Sequence, residues 1–164
     1  MAAETAHKTK SSSSPNAVAL LKADHKQVKK WFAEFEKSRS DKKKKTLATS
    51  ICHALTVHCK IEEEIFYPAF LAATKDKDMH HEAIVEHDGA KQLIAKIQQS
   101  DPSDDYFDSQ VRVLSEMIKH HVKEEEQKDG MFAEAQQARK MNLDALGQQM
   151  FDRKNELMAQ IEGS

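Results

Sequence analysis

Apolar residues recur at alternating spacings of three and four along most of the chain, which is the period of an amphipathic α-helix. The first such stripe follows Ser14 and Pro15, residue types typical of a helix N-cap and of the first helical position. Its positions are Val18, Leu21, His25, Val28, Phe32 and Phe35. Because His25 stands where an aliphatic residue is expected, the pattern predicts a buried histidine in the first helix.

A repeated motif marks the second and fourth predicted helices. An apolar residue is followed by a second one four positions later, by a histidine at seven and by a glutamate at eleven. The two copies are Ile51, Leu55, His58 and Glu62, and Leu114, Ile118, His121 and Glu125. Residues three or four apart are neighbours on a helix surface. Each copy therefore predicts an apolar stripe that ends in a His–Glu pair directed into the protein.

Polar segments divide the chain into four main helices. The second helix starts in the lysine run 42–45 and is expected to reach Pro68 or a few residues beyond. The third helix follows residues 74–78 and has one apolar face, made of Ala83, His87, Ala90, Ile94 and Ile97. Ser103 is the expected N-cap of the fourth helix, which reaches Gly130 or continues past it.

These elements predict an all-α protein with an antiparallel up-down-up-down four-helix bundle and an additional C-terminal helix. We expect the bundle to span residues 15–135 and to follow a disordered polar tail at residues 1–14. Residues 136–164 are expected to form an amphipathic helix that packs along the bundle or against a partner chain.

Composition supports helices and narrows the classes of function. With 4 Gly and 3 Pro in 164 residues, the chain has too few of these turn-forming residues for a many-stranded protein. A net charge of −2 gives no electrostatic case for nucleic acid or an acidic membrane as the main partner. Cys52 and Cys59 lie seven apart on one helix, so their Cα atoms are roughly 10 Å apart, too far for a disulfide. Free thiols suit a reducing compartment, and we expect a cytoplasmic protein.

Each main helix thus offers one inward histidine, and two helices add a glutamate. The predicted metal ligands are His25, His58, Glu62, His87, His121 and Glu125. A buried carboxylate is costly unless it is paired or bound to a metal, and iron, manganese and zinc accept imidazole and carboxylate ligands. On the fourth helix two choices of the ligand pair stay open, since His120 with Glu124 has the same spacing as His121 with Glu125. The apolar offsets favour the second pair.

In its motifs the chain resembles the hemerythrin-like proteins, also called HHE cation-binding domains. The resemblance rests on residues 21–25 (LKADH), 58–68 (HCKIEEEIFYP), 86–88 (EHD) and 120–126 (HHVKEEE). It implies a four-helix bundle with two non-haem iron ions, oxo- or hydroxo-bridged when oxidised. By this likeness the four histidines are terminal ligands, and Glu62 and Glu125 bridge the two ions.

One position departs from the oxygen-carrying members of that family. They have a second histidine on the third helix, where this chain has Ala83. The resemblance therefore implies six protein ligands, with the vacancy filled by water or by Glu86, and reversible oxygen carriage is not expected. Tyr67, close in sequence to the second helix's ligands, is expected to be a packing residue.

We expect the site to bind or sense a small diatomic or peroxide ligand: oxygen, nitric oxide or hydrogen peroxide. Two alternatives stay open: a di-iron enzyme that decomposes peroxide or oxidises ferrous iron, and an iron- or oxygen-responsive regulatory module. The expected partners are that small ligand and, through the C-terminal helix, a second copy of the chain. Neither nucleic acid nor membrane is expected.

Overall fold

The computed structural model describes residues 14–163, so the predicted polar tail, apart from Ser14, lies outside the described residues. Within this range the chain is helical and contains no strand, which confirms the all-α prediction. Its segments are α1 (Ala17–Lys37), α2 (Asp41–Ile61), a π-helical segment (Glu62–Phe66), α3 (Tyr67–Thr74), α4 (Lys77–Gln98), α5 (Phe107–Glu126), α6 (Met131–Gln137) and α7 (Leu143–Glu162).

Four of these helices close the predicted bundle. Helix α1 packs against α2 and α5, and α4 packs against the same two helices. Short connections join α1 to α2 and α3 to α4, and a longer turn region joins α4 to α5. Such connections place successive helices antiparallel, as predicted.

Two apolar clusters fill the bundle, and the four predicted histidines lie between them. One cluster contains Leu21, Ile61 and Ala83, and the other contains Val28, Leu55 and Ala90. His25, His58 and His87 each fall, along their own helix, between a residue of the first cluster and a residue of the second. A polar layer is therefore enclosed between two apolar layers, where water is excluded.

The additional C-terminal helix lies along the bundle. Helix α7 packs against α1, α2 and the π-helical segment, and its Met150 and Leu157 are buried in the same cluster as Leu21. Gly147 makes this close packing possible, because a Cβ atom there would lie 2.3 Å from the carbonyl oxygen of Pro15. Dimer formation through this helix stays a prediction.

Contacts with α7 also explain an error in the predicted start of the first helix. The N-cap is Asn16, whose side chain accepts a hydrogen bond from the Ala19 N–H. The hydroxyl of Ser14, which we expected to cap this helix, instead donates to Gln148 of α7 at 2.7 Å. The hydroxyl therefore has a tertiary partner that local sequence does not indicate.

The fourth bundle helix also differs from its predicted bounds. Ser103 does not cap it, because its N–H and hydroxyl both bond to Asp101 within the preceding turn, and α5 begins at Phe107. At its other end α5 stops at Glu126, and Gly130 becomes the residue before α6.

The long second helix is interrupted where it meets Pro68. The N–H of Tyr67 bonds to the carbonyl of Glu62, five residues earlier, as in a π-helix. Proline has no N–H and its ring crowds the preceding turn, so a regular helix is disfavoured just ahead of it. The chain passes through the wider π-helical turn and continues as α3.

None of the helices within residues 14–163 is long and apolar enough to cross a membrane.

Candidate metal centre

The structure brings all six sequence-predicted ligand side chains into the polar layer of the bundle. All six are buried: His25, His58, Glu62, His87, His121 and Glu125. Glu62 is fully inaccessible and Glu125 is 2% exposed, so both carboxylates lie in the dry interior. An ionised carboxylate in such a place needs a cationic partner.

The ligand atoms form two histidine pairs spanned by two glutamates. The ring centroids of His25 and His58 are 4.9 Å apart, and those of His87 and His121 are 4.8 Å apart. Each glutamate contacts one histidine of each pair, so the carboxylates lie between the pairs.

One oxygen of each glutamate lies within 3.3 Å of a histidine nitrogen from each pair. The Oε1 atom of Glu62 is 2.8 Å from His58 Nε2 and 3.3 Å from His87 Nε2. The Oε1 atom of Glu125 is 3.3 Å from His25 Nε2 and 3.2 Å from His121 Nε2. Two ions, one beside each histidine pair, would share both carboxylates.

Of the two open registers, the structure directs His121 and Glu125 inward. The side chain of His121 is 7% exposed, whereas that of its neighbour His120 is 64% exposed. Since α5 is an uninterrupted α-helix here, adjacent residues face directions about 100° apart, from the 3.6-residue turn. His120 and Glu124 therefore lie on the outside of the centre.

Tyr67 lies at the centre, which sequence reasoning missed. Its hydroxyl oxygen is 3.0 Å from His87 Nε2 and 3.3 Å from His121 Nε2, and it donates a hydrogen bond to Glu125 Oε2 at 3.1 Å. Burial, together with the nearby charge of Glu125, raises the pKa of this phenol well above its usual range.

The π-helical segment explains why Tyr67 faces the ligands. In a regular helix, nine residues of separation put Tyr67 on the side opposite His58, from a turn of 3.6 residues. The bond from the Tyr67 N–H to the Glu62 carbonyl makes this turn five residues long, so Tyr67 follows Glu62 on the same face. Such π turns occur often at functional sites, and Pro68 was the available sequence signal.

A second set of carboxylates orients the imidazole rings from outside. Asp24 lies 2.9 Å from His58 Nδ1, and Glu63 lies 3.1 Å from His87 Nδ1. Glu86 lies 2.9 Å from His121 Nδ1, whereas Glu126 lies 3.6 Å from His25 Nδ1, which has no hydrogen-bond partner among the described residues. At His58, His87 and His121 the carboxylate hydrogen-bonded to Nδ1 holds the proton there and directs the Nε2 lone pair inward, as outer partners of metal-binding histidines do.

Glu86 thus contacts the outer nitrogen of His121, and it does not fill the ligand position left open because residue 83 is alanine. The sequence contains a signal for all four outer carboxylates. Each of them is next in sequence to a predicted ligand, but not to the histidine that it lies against. Asp24 precedes His25, Glu63 follows Glu62, Glu86 precedes His87 and Glu126 follows Glu125.

The electrostatics of the buried groups fit a centre built for cations. Burial alone would lower the pKa of His58, but the charge of Glu62 and the hydrogen bond to Asp24 outweigh it and raise the pKa to about 10. Burial likewise opposes ionisation of Glu62, yet His58 and His87 hold its pKa well below the usual range. In the metal-free protein, a proton on the His58 imidazole therefore offsets the negative charge of Glu62.

Several inward-facing atoms fit metal ions better than hydrogen bonds. Within residues 14–163 the buried atoms without a hydrogen-bond partner include His25 Nε2, His58 Nε2, both oxygens of Glu62 and Glu125 Oε1. His58 Nε2 and Glu62 Oε1 are close, but their directions are poorly aligned for a hydrogen bond. Imidazole nitrogen and carboxylate oxygen are the donors that iron, manganese and zinc accept.

A cavity of about 350 Å³ adjoins the centre. All four candidate histidines contribute to its lining, and its other lining residues include Leu55, Ala90, Met117, Ile118 and Val122. A small uncharged molecule could reach the histidines here while apolar side chains limit entry of water.

The two cysteines, Cys52 and Cys59, are buried and unpaired. Burial raises the pKa of Cys52 to about 11 and that of Cys59 well above its usual range. In the metal-free protein, burial therefore favours the neutral thiol form of both side chains.

Comparison with known proteins identifies the family. The family model of the Hemerythrin HHE cation binding domain matches residues 16–133, so the chain belongs to this family. Together with the His and Glu groups described above, this makes it a metal-binding protein of the hemerythrin-like type.

Two individual proteins are similar to this chain. A protein named DNA nickase from Nostoc sp. is 30% identical over 111 residues, which cover 68% of this chain and 31% of that protein. The chain therefore spans about a third of the length of this curated relative. The crystal structure of a Hemerythrin HHE cation binding domain-containing protein from Mycobacterium kansasii superposes with a TM-score of 0.69. It covers 87% of each chain at 22% identity and shows the shared fold.

Proposed function

We propose that the buried layer binds two non-haem iron ions and that this centre takes up a small ligand: oxygen, nitric oxide or hydrogen peroxide. One observation carries the proposal: Glu62 and Glu125 each span the His25–His58 pair and the His87–His121 pair. Two nitrogen-donor pairs joined by two carboxylates suit two divalent cations that share their oxygen ligands.

In this arrangement His25 and His58 hold one ion, and His87 and His121 hold the other. Glu62 and Glu125 supply oxygen donors to both. The hydroxyl oxygen of Tyr67, beside His87 and His121, is an additional donor to the second ion. It is a candidate for the seventh ligand that Ala83 cannot provide.

When bound, iron would supply exchangeable electrons and an open coordination position. The protein supplies the orientation of the histidines and the exclusion of water. The outer carboxylates hold the Nδ1 protons, so that the Nε2 atoms are free to bind. Apolar residues of the 350 Å³ cavity, such as Leu55 and Ile118, exclude bulk water from the side where the ligand approaches. The apolar lining of the cavity favours an uncharged ligand.

Anaerobic reconstitution of the metal-free protein with Fe²⁺ tests this proposal. We expect about two ions per chain, from the two histidine pairs, and changes in the absorption spectrum when oxygen, nitric oxide or peroxide is added. Fewer than two iron ions, or two ions with an unchanged spectrum, would overturn it. His121→Ala should lose iron, whereas His81→Ala, which removes an exposed histidine, should not.

The same assay separates this proposal from its nearest alternative. Stoichiometric binding of peroxide supports a ligand-binding protein, whereas sustained turnover favours a peroxide-decomposing di-iron enzyme. The name of the Nostoc relative gives no support for DNA cleavage by this chain, because the aligned part is under a third of that protein.

A further inference from the structure

A second group of possible ligands lies on the surface beside the centre. The Nε2 atom of His120 is 3.3 Å from Glu86 Oε2 and 3.0 Å from Glu124 Oε1. The three side chains offer ligand atoms within 4.8 Å of one another, one from α4 and two from consecutive turns of α5. One imidazole and two carboxylates are the donors of a divalent transition-metal site.

The charge of this group is balanced differently from that of its counterparts. Asp24 and Glu63, which also support ligand histidines, are paired with Lys154 and Lys91 at 2.5 Å and 2.6 Å. Within residues 14–163 no lysine or arginine nitrogen lies within 4.0 Å of Glu86 or of Glu124. The exposed imidazole of His120 takes the place of an ammonium group here, and imidazole is a side chain that can bind metals.

A cavity connects this surface group with the buried centre. It has a volume of about 110 Å³ and lies beside Ala83, where a small side chain leaves space. Four carboxylates line it: Glu82, Glu86, Glu124 and Glu125. Glu82 is exposed and Glu125 is 2% exposed, so the carboxylates lead from solvent to the centre. Glu125 Oε1 is buried and lacks a hydrogen-bond partner among the described residues.

We propose that Glu86, His120 and Glu124 form an outer divalent-cation site, from which an ion passes along the cavity beside Ala83 to Glu125. The outer site is a binding proposal in its own right, and the transfer rests on the proposed function of the centre. Carboxylates along the route attract cations and compensate for lost hydration water. Glu86 belongs to both places, since its other oxygen lies against His121 Nδ1.

Cobalt(II) is a suitable probe because its absorption spectrum reports on its ligands. Titration of the metal-free protein should give about three ions per chain, two central and one weaker outer ion. His120→Ala with Glu124→Gln should remove the weaker ion and leave the central two. Loading of the centre, followed by stopped-flow absorption, should become about tenfold slower or more, because local attraction raises on-rates by that order.

A second variant separates failure of the outer site from failure of the centre. Glu62→Gln with Glu125→Gln disables the centre, and the protein should still bind about one Co²⁺, which a further His120→Ala change removes. Glu36→Gln with Arg112→Ala is the matched control, because it breaks an exposed ion pair between α1 and α5 whose members line neither cavity beside the metal sites. This control should leave stoichiometry and loading rate unchanged.

Each outcome bears on one part of the proposal. Equal stoichiometry and equal loading rates in the parent and in the His120→Ala, Glu124→Gln protein would overturn it. Loss of the weak ion with an unchanged loading rate would retain the outer site and overturn the transfer. Absence of the two central ions from the parent protein itself, with the outer ion present, would overturn the proposed function of the centre and leave the outer site standing.

Discussion

The two halves of the centre have the same ligand types but different surroundings. In the α1–α2 half, His25 stacks against Phe132 with ring centroids 5.8 Å apart, and the outer carboxylate of His58 is held by Lys154 of α7. In the α4–α5 half, the outer carboxylate of His121 contacts exposed His120, and Ala83 leaves a cavity. The α1–α2 half is covered by Phe132 of α6 and by Lys154 of α7, whereas the α4–α5 half has an additional cavity beside Ala83.

This difference shows that the identity of the metal-ligating side chains and the access of ions or small molecules to them are separate properties of the site. The repeated His–Glu motif makes the two halves chemically alike, and the surrounding helices give one half packed outer partners and the other an additional cavity. We therefore expect changes in the α1–α2 half to alter how firmly an ion is held. Changes in the α4–α5 half should alter how an ion or small ligand arrives.

The largest effect is expected from the carboxylates that join the halves. Glu62→Gln should reduce metal content in both halves, because Glu62 contacts His58 and His87 alike. The loss of affinity should exceed the roughly 10- to 100-fold cost of removing an outer partner. Metal analysis after dialysis measures it, and retention of two tightly bound ions would contradict the proposed bridging role.

Removal of one outer carboxylate should affect mainly its own half. Asp24→Asn should weaken the ion beside His58, and Glu86→Gln the ion beside His121, each by roughly 10- to 100-fold. Competition with a coloured chelator measures both affinities. Glu64→Gln is the control, because Glu64 also pairs with α7, through Arg153, but contacts no histidine. Equal effects of Asp24→Asn and Glu64→Gln would mean that α7 packing, not the histidine contact, matters.

The stability of the metal-free protein should fall as the pH rises from 6.5 to 8.5. The folded-state pKa of His58 is raised to about 10 against an ordinary value of 6.5. Its stabilising contribution is therefore complete below pH 6.5 and is lost as the pH rises towards the folded-state value. The slope for one such histidine is at most about 1.4 kcal/mol per pH unit.

Denaturant unfolding across this pH range measures that slope. The pKa of His121 is also raised well above its usual range, by Glu125 and Glu86 against the effect of burial, so it adds to the same slope. Asp24→Asn should flatten the part due to His58, and Glu86→Gln the part due to His121. A slope unaffected by either change would show that these pairs do not hold protons in the metal-free state.

The smallest effect is expected from Tyr67→Phe in the α4–α5 half. The variant should retain two ions, and the ion beside His87 should bind about fivefold more weakly, for a lost interaction of about 1 kcal/mol. If the phenol oxygen binds ferric iron, the variant also loses a visible absorption band. Tyr106→Phe is the control, since Tyr106 is 74% exposed. An identical spectrum in the Tyr67→Phe protein would exclude Tyr67 as a ligand.

The main helices and the inward direction of His25, His58, His87 and His121 could be predicted from the sequence. Helical spacing places each histidine on an apolar stripe, and an apolar stripe must be buried to stabilise the bundle. The same argument favoured His121 over His120, because only His121 continues the stripe of Leu114 and Ile118. Their assignment as metal ligands stays a prediction for metal analysis to test.

The position of Tyr67 could not be predicted, because a helical period was assumed to continue through Pro68. Five residues in one turn change the direction of every later side chain, and local sequence does not specify that change. The helix caps failed for a related reason: the hydroxyls of Ser14 and Ser103 have other partners, and Ser14 finds its partner on α7.

The sequence by itself determined the four helices, the apolar stripes and the ligand types on them, because these depend on residue spacing within a single helix. Only the tertiary structure decided which carboxylate supports which histidine, that Tyr67 faces the candidate ligands, and that one half has an additional cavity. Those features depend on distances between helices far apart in sequence. They are set by packing of the whole bundle, including α7, and spacing within one helix does not specify them.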